Sequence, residues 1–463
     1  LTTPTTDAEW LASLSQLHDR ELPGLKALDA YYEGTQPLSY MQPEILREVE
    51  DRIRPVIIAW PQLVVDAVEE RLDPEGFRLP DEDAADDDFW RVWQANDLDE
   101  ESQLGRVDAL VMKRSYLAVG TNEDDTDTPL VTVESPLEMF AAIDPRTRRA
   151  RAALRRTQDQ DSFARVTGRY ATLYLPERTV WYEWQKGAWK ETGRDEHNLG
   201  EVPVVPLTNR SRLADRYGRS ELSRSMLSLS DSANKIATDM MLAAEFVALP
   251  LRGLLGIGPD DLVDENGNAL SATQVIMGKL LTVPQGDPGS EVKPFQWDPA
   301  SLSNFHDSIN QLAKLVASIS GIPPHYLGFT TDNPASADAI RSAESRLVKR
   351  AERKQTAFGG TYEQTMRLVR RFQTGGEPVD PRLRRLETVW RDASTPTRAQ
   401  SADAVVKLLE KGAITKRQAR EDLRYTQAQI ARMEREDVDE AALDPVGALS
   451  RSVGQGAPPL EAE

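Results

Sequence analysis

The sequence predicts an α+β fold, mainly helical, and three features predict it. Two amphipathic helices, Leu222–Val247 and Leu302–Ile319, flank an interval rich in glycine and proline. Between about Tyr116 and Pro206 the apolar period changes from three-to-four to two. A long helical stripe with a basic face then runs from Ala335 to Phe372. Helices, then strands in one block, then helices again is the pattern of an α+β domain rather than an alternating α/β one.

At the start, Thr5-Thr6-Asp7 offers N-cap residues for a helix through Trp10, Leu11, Leu14 and Leu17. Leu25, Leu28 and Tyr32 predict a second helix, and Gly34 and Pro37 force a turn after it. Ile57 to Leu72 predicts another amphipathic helix, with Pro61 near its start where a missing N–H does no harm. The acidic run Asp81 to Asp88 is expected to be a solvated loop leading into a helix with Phe89, Trp90 and Trp93. Asp124, Asp125 and Asp127 lack the glycine and glutamate of a calcium loop. Period-two runs predict strands at Leu130–Val133, Met139–Ile143, Ala150–Arg156, Ala171–Leu175 and Thr179–Trp184, with a hairpin turn at Lys186-Gly187. Tyr170, Tyr174, Trp181, Tyr182, Trp184 and Trp189 could stack on single-stranded nucleic acid, but strands use aromatics routinely and no basic groove accompanies these, so ordinary packing is expected.

The first of the paired helices carries Leu222, Met226, Leu229, Ala233, Ile236, Met240, Ala243 and Val247 at steps of three and four. The second carries Leu302, Phe305, Ile309, Leu312, Val316 and Ile319, a heptad-like seam suited to packing on neighbouring helices. From about Ala248 to Pro299 repeated Gly and Pro exclude a long helix, and Gln274–Val283 predicts one or two short strands. The simplest arrangement is a small subdomain on a two-helix stalk. Ile322-Pro323-Pro324 ends the returning helix and a loop, His325–Pro334, follows. The long helix then opens at Ala335, with Gly359-Gly360 as a kink and with Arg341, Arg346, Lys349, Arg350, Arg353, Lys354, Arg367, Arg370 and Arg371 as its basic residues. Thr395-Pro396-Thr397 caps a helix from Ala399 to Leu409, Gly412 ends it, and Thr415 starts the next, through Leu423. The tail, Gly/Pro/Ala-rich from about Val446, is expected to be disordered.

The chain has 463 residues, 40% of them hydrophobic, enough for two or more folded domains. Its net charge of −19 argues against a protein that grips duplex DNA by neutralising phosphates, though not against one that surrounds DNA without holding it. It has no cysteine, so disulfides and Cys-ligated metals are excluded. No signal peptide or membrane span is expected: the apolar run Met240–Ile257 contains Glu245, Pro250 and Arg252. The histidines, His18, His197, His306 and His325, have no paired spacing, and no zincin, Walker or nucleophile-elbow motif is present. Gly253-Leu254-Leu255-Gly256-Ile257-Gly258 has the wrong order for a dinucleotide fingerprint. Neither catalysis nor a metal or cofactor is indicated.

Several short motifs, weak singly, become specific in their order. Asp144-Pro145-Arg146 follows a strand; Tyr217-Gly218-Arg219-Ser220-Glu221-Leu222 and Asp231-Ser232-Ala233-Asn234-Lys235 open the first paired helix; Ser318-Ile319-Ser320-Gly321-Ile322-Pro323 closes the second. Asn333-Pro334-Ala335-Ser336-Ala337-Asp338-Ala339-Ile340 begins the long helix, and Ala402–Leu408 with Gly412-Ala413-Ile414-Thr415 lies beyond it. Over roughly residues 20 to 440 the chain resembles the portal, or head-to-tail connector, proteins of tailed double-stranded DNA bacteriophages.

That resemblance implies a wing at 1–216, stem helices at 217–248 and 299–321, and an inserted clip at 249–298. It places the tunnel loop, long kinked helix and wing–crown connection at 322–395, a crown at 396–440 and a disordered acidic tail at 441–463. It implies a homo-oligomeric ring, usually of twelve subunits, at the capsid vertex of the virion, assembled in the host cytoplasm and binding no membrane. Its partners would be the terminase, the head–tail adaptor, the major capsid and scaffolding proteins, and double-stranded DNA held without sequence preference. Thr330, Thr331, Asp332 and Asn333 would face DNA from the tunnel loop. Lys349, Arg350, Arg353 and Lys354 are further lining candidates, for which intersubunit ion pairs are an equal explanation. Two other readings compete: a non-portal capsid assembly or scaffolding protein, which should be mostly coiled coil, and a metal-dependent nuclease using Asp86 to Asp88.

Overall fold

The computed structural model describes residues 4–39, 55–79, 86–247, 252–255, 280–283, 293–296, 302–328, 337–376, 380–394, 398–423, 425 and 427–443. Contacts divide the chain into two compact units, one ending at Ala393 and one beginning at Ser394.

Helix α1 (Asp7–Tyr32) starts at a capping box in which the Thr6 hydroxyl accepts from the Glu9 N–H while the Glu9 carboxylate accepts from the Thr6 N–H. The expected break into two helices does not occur. Pro23 lies inside one continuous helix, on an exposed face where the carbonyl it leaves unpaired can meet water. Helix α2 (Trp60–Glu69) has Pro61 in its first turn, as its position predicts. Strand β1 (Pro74–Arg78) pairs with β13 (Glu387–Trp390), more than three hundred residues away. Helix α3 (Asp87–Ala95) is capped by Asp86, which accepts from the Asp88 and Phe89 N–H groups, so the described end of the acidic run is a helix start. Residues 80–85 lie outside the described residues.

Helix α4 (Leu98–Met112) leads into β2 (Arg114–Gly120), the middle strand of an antiparallel sheet ordered β3-β2-β9, with β3 at Leu130–Glu134 and β9 at Val204–Thr208. Five further strands, β4 (Met139–Ile143), β5 (Ala150–Gln160), β6 (Val166–Tyr174), β7 (Thr179–Gln185) and β8 (Ala188–Asp195), form a meander in chain order. The β7–β8 turn is Lys186-Gly187, both with positive φ (50° and 85°), the backbone a two-residue hairpin needs. The two sheets stack through Tyr116, Ala118 and Val204 against Met139, Ala141 and Ala153. The other face of the meander, Phe140, Leu154, Leu173 and Val180, receives Leu11 and Leu14 of α1. The aromatics divide: Tyr182 is buried, whereas Tyr170, Trp181 and Trp184 remain 38–43% exposed, so packing accounts for only part of the set.

Helices α5 (Arg224–Val247) and α6 (Ser303–Ser320) pack on each other, and between them in sequence come β10 (Arg252–Leu255), β11 (Leu280–Val283) and β12 (Lys293–Gln296), a three-stranded sheet ordered β11-β10-β12. Strand β10 is parallel to β11 and antiparallel to β12. The expectation of strands at 274–283 is met for Leu280–Val283; 274–279 lie outside the described residues. Pro324–Leu327 forms one 3-10 turn, and α7 (Ala337–Gln373) runs unbroken through Gly359-Gly360. Gly359 serves close approach: a Cβ there would sit 3.0 Å from the Trp390 indole nitrogen, and Thr388 of β13 donates to its carbonyl. The largest core joins α2, α3, α4, α7 and the β2 sheet around Trp93, Phe77, Phe358 and Tyr362.

The second unit contains α8 (Arg398–Glu410), α9 (Lys416–Asp422, capped by Thr415) and α10 (Gln427–Leu443), with Val405, Ala419 and Ile430 buried and Arg420 paired to Asp437 at 2.9 Å. Helix α10 continues three residues past the predicted start of the tail at 441; residues 444–463 lie outside the described residues. Among the described residues no helix is long and apolar enough to cross a membrane.

Candidate functional site

The α5–α6 hairpin is built from its base. Leu222, just before α5, and Met226 and Ala233 in its first half share one core with Ala313 and Val316 near the end of α6, so the helices run antiparallel, and Leu229, Ile309 and Leu312 pack half-buried against that core. Ile236, Met240, Leu302 and Phe305 are half-buried, so cover thins away from the base. One seam position departs from expectation: Ile319 is 44% exposed, and the buried stripe of α6 is Ala313, Val316, Ala317 and Ser320. Small residues there let the helices approach closely. The polar side of α5 is also used. Asp231 accepts from the Tyr31 and Ser39 hydroxyls, Asn234 from the Ile58 N–H at 2.8 Å, and Thr238 from the Val56 N–H at 3.2 Å. Both described ends of the N-terminal segment thus lie tied along this helix.

At the base sits Glu221. Its carboxylate takes Arg350 at 2.5 Å, Lys354 at 2.6 Å and the Asn209 amide at 3.0 Å, and its own N–H donates to the Leu110 carbonyl. Lys354 also reaches the Asn209 carbonyl oxygen. Burial works against the charge on Glu221, but Lys354 and Arg350 outweigh it and hold the carboxyl at about 2. From the same face of α7, Arg346 donates to the Ser318 carbonyl at 2.6 Å, and Arg350 to that of Ser320. Cations therefore meet the unpaired carbonyls and negative end of α6. Gly321 closes α6 in the left-handed region (φ 73°), with Arg346 packed where a Cβ would go. A further clamp holds the approach to the hairpin: Arg114 pairs with Glu21 at 2.5 Å, donates to the Tyr217 carbonyl and lies over the Phe140 and Tyr217 rings.

Two of the proposed lining cations, Arg350 and Lys354, are engaged within the subunit: both pair with Glu221, because a carboxylate buried at the junction requires countercharge. Lys349 is exposed and paired with Glu352 at 2.6 Å, and Arg353 is exposed. Thr330, Thr331, Asp332 and Asn333 lie outside the described residues. Sequence reasoning missed the roles of Glu221 and Asn209. The available signal was the i, i+4, i+8 spacing of Arg346, Arg350 and Lys354, one basic stripe on a helix whose neighbour supplies a lone acid beside an apolar residue. The junction presents a fixed joint, tying α4, α5, α6, α7 and the loop after β9 at one point.

The family model described as phage portal protein, SPP1 Gp6-like, matches residues 11–442. The portal protein of Mycobacterium phage D29 is 42% identical over 394 residues, covering 83% of this chain and 80% of that protein. That of Mycobacterium phage L5 is 39% identical over 422 residues, covering 89% and 85%. Among solved structures, a chain of the virion of a native gene transfer agent particle is similar at TM-score 0.42 and 15% identity, covering 87% of this chain and 93% of that one. A chain from the neck of the native particle, computed with C12 symmetry, is similar at TM-score 0.42 and 14% identity, covering 88% and 93%.

Proposed function

The chain belongs to the phage portal protein family, and from that premise we propose that its α5–α6 hairpin is the stem of a conduit for double-stranded DNA. As a portal protein it is a structural subunit of the ring at the capsid vertex of the virion. The scaffolding alternative is set aside by the family match. In the proposed reading, residues 1–216 form the wing, 249–298 the clip and 396–440 the crown, and rings of twelve subunits assemble in the host cytoplasm with the capsid and scaffolding proteins. The clip docks the terminase and later the head–tail adaptor. DNA passes along the axis during packaging and ejection, touching the loop at 330–333 without sequence preference. No reaction is assigned to this chain; the terminase supplies the energy.

The observation that carries the reading is the hairpin itself. Two antiparallel helices are locked at the base by Glu221 and lead, at the other end, into the three-stranded sheet β10–β12. A rigid stalk bearing a small sheet suits a docking platform held clear of the body. The chain's charge suits a channel as well: a subunit of net −19 repels phosphate in general and lets DNA slide. Deleting residues 253–294 is the test. The shortened protein is expected to assemble but to give no packaged DNA when it replaces the full chain in a phage lacking its own portal gene. DNA-filled heads from the deletion variant would overturn the assignment of the docking platform.

A further inference from the structure

A ring of identical subunits is a head-to-tail assembly, so each subunit must present two different surfaces that fit one another. The main body of this chain carries two recesses of opposite charge. One, a cavity of about 690 Å³, lies among the β4–β5 turn, the end of β9, the 210–216 loop and α7, and Arg148, Arg210, Arg212 and Arg216 converge on it. None of these four arginines is paired with a carboxylate among the described residues, and the Arg210 Nε is buried with no hydrogen-bond partner. In a protein with 75 acidic residues, four unpaired arginines at one place are unexpected of a solvated surface. The turn that carries Arg148 is stiff: the Asp144 carboxylate accepts from the Arg146 and Thr147 N–H groups, and Arg148 itself is left-handed (φ 62°). Leu213, 81% exposed, stands in the same loop.

The other recess, about 520 Å³, lies between α1, α2 and α4 and is lined by Asp29, Glu33, Asp66, Glu69, Glu70 and Asp108 beside Leu104, which is 54% exposed. Among the described residues the one cation paired with these acids is Arg106, which holds Glu69 at 2.9 Å. Burial raises the carboxyls of Glu69 and Asp108, with a smaller push from neighbouring carboxylates, Asp73 and Asp66 at Glu69 and Asp29 at Asp108.

The two recesses are built on different elements, the acidic one on α1, α2 and α4 and the arginine one on the β4–β5 turn, the 210–216 loop and α7. Arg106 of α4 donates to the Tyr362 hydroxyl of α7 at 3.3 Å, which marks the sides on which those helices meet. Leu104 and Asp108 lie two residues either side of Arg106, and Gly360 and Gln364 two either side of Tyr362, about 200° round each helix. Leu104 and Asp108 therefore lie on the side of α4 away from α7, and Gly360 and Gln364 on the side of α7 away from α4.

From this we infer that the arginine recess, with Leu213, docks onto the acidic recess of α1, α2 and α4 in the next copy of this chain. The inference rests on the ring reading above and names the surfaces that close the ring. Like-charge juxtaposition at such an interface is strongly unfavourable, so charge reversal is the test. R212E/R216E and E33K/E70K, all at exposed positions, are each expected to weaken self-association about a hundredfold by sedimentation at fixed salt. An equimolar mixture of the two is expected to recover it, because every junction in an alternating ring is again between opposite charges. Recovery also shows that both variants are folded. Unchanged assembly of either variant, or no recovery on mixing, would overturn the pairing while leaving a ring formed by the parent intact. Should the parent form no closed oligomer, the ring reading fails separately. The pairing is then judged by mixing R212C with E70C in this cysteine-free chain: a mixed disulfide dimer supports it and its absence sinks it. Loss of duplex DNA binding in R212E/R216E, with assembly unchanged, would assign the arginines to phosphate and also overturn the inference.

Discussion

Replacing Glu221 with glutamine is expected to lower the stability of the main body by about 3–5 kcal/mol, because it leaves two buried cations, Arg350 and Lys354, without their shared countercharge. All nine tryptophans precede Ser394, so urea unfolding followed by tryptophan fluorescence reads this unit. The pH dependence has a definite sign. The folded carboxyl, at about 2, lies below the ordinary 4.5, so its contribution is complete above about pH 4.5 and is lost as pH falls toward 2. The parent should lose about 3 kcal/mol of stability over that window from this group, and the glutamine variant should not. Adding Lys354→Met to Glu221→Gln removes one unpaired cation and should return part of the loss, a coupling of about 1–3 kcal/mol. A glutamine variant as stable as the parent at pH 7 would mean that the junction is not the anchor of the hairpin.

The second large effect is expected at Gly218. Its φ is +83°, and a Cβ there would lie 2.1 Å from the Lys113 carbonyl oxygen and 3.1 Å from the Thr208 methyl. Alanine must meet a backbone atom in a conformation that L residues avoid, so a loss of about 2–5 kcal/mol is expected. The Lys113 carbonyl also accepts from the Asn209 N–H at 2.9 Å, and Asn209 contributes its amide to Glu221. Displacing that carbonyl therefore disturbs the ion cluster, and Gly218→Ala with Glu221→Gln should cost less than the sum of the two. Additive losses in the same urea measurement would show the two sites to be independent.

Much of this architecture is written in local pattern. The α5–α6 pair shows in steps of three and four, and the meander in its period of two and in Lys186-Gly187. What escaped depends on distant contacts. Helix α4 buries Ser102, Gly105 and Arg106 where apolar residues would have marked a face, because Arg106 is satisfied by Glu69, Ser102 and Tyr362. Strands β1 and β13 are five and four residues long and find each other only in the fold. The base of the hairpin was half legible. The basic stripe of α7 is plain in the sequence, but its use is not: a helix face of Arg346, Arg350 and Lys354 serves phosphate or a buried acid equally well until Glu221 is placed beside it. Ile319 shows the converse, an apolar residue in step with the seam that the packing leaves exposed. Such a residue on a stalk fits cover by a neighbouring subunit.

To conduct DNA this chain must close into a ring around an axial channel, with the α5–α6 hairpin in its wall. End-on single-particle images of the purified protein measure that directly. A closed ring with an open centre, one hairpin per subunit lining it, is the predicted result. Particles that remain single, or rings in which the hairpin points away from the axis, would contradict it.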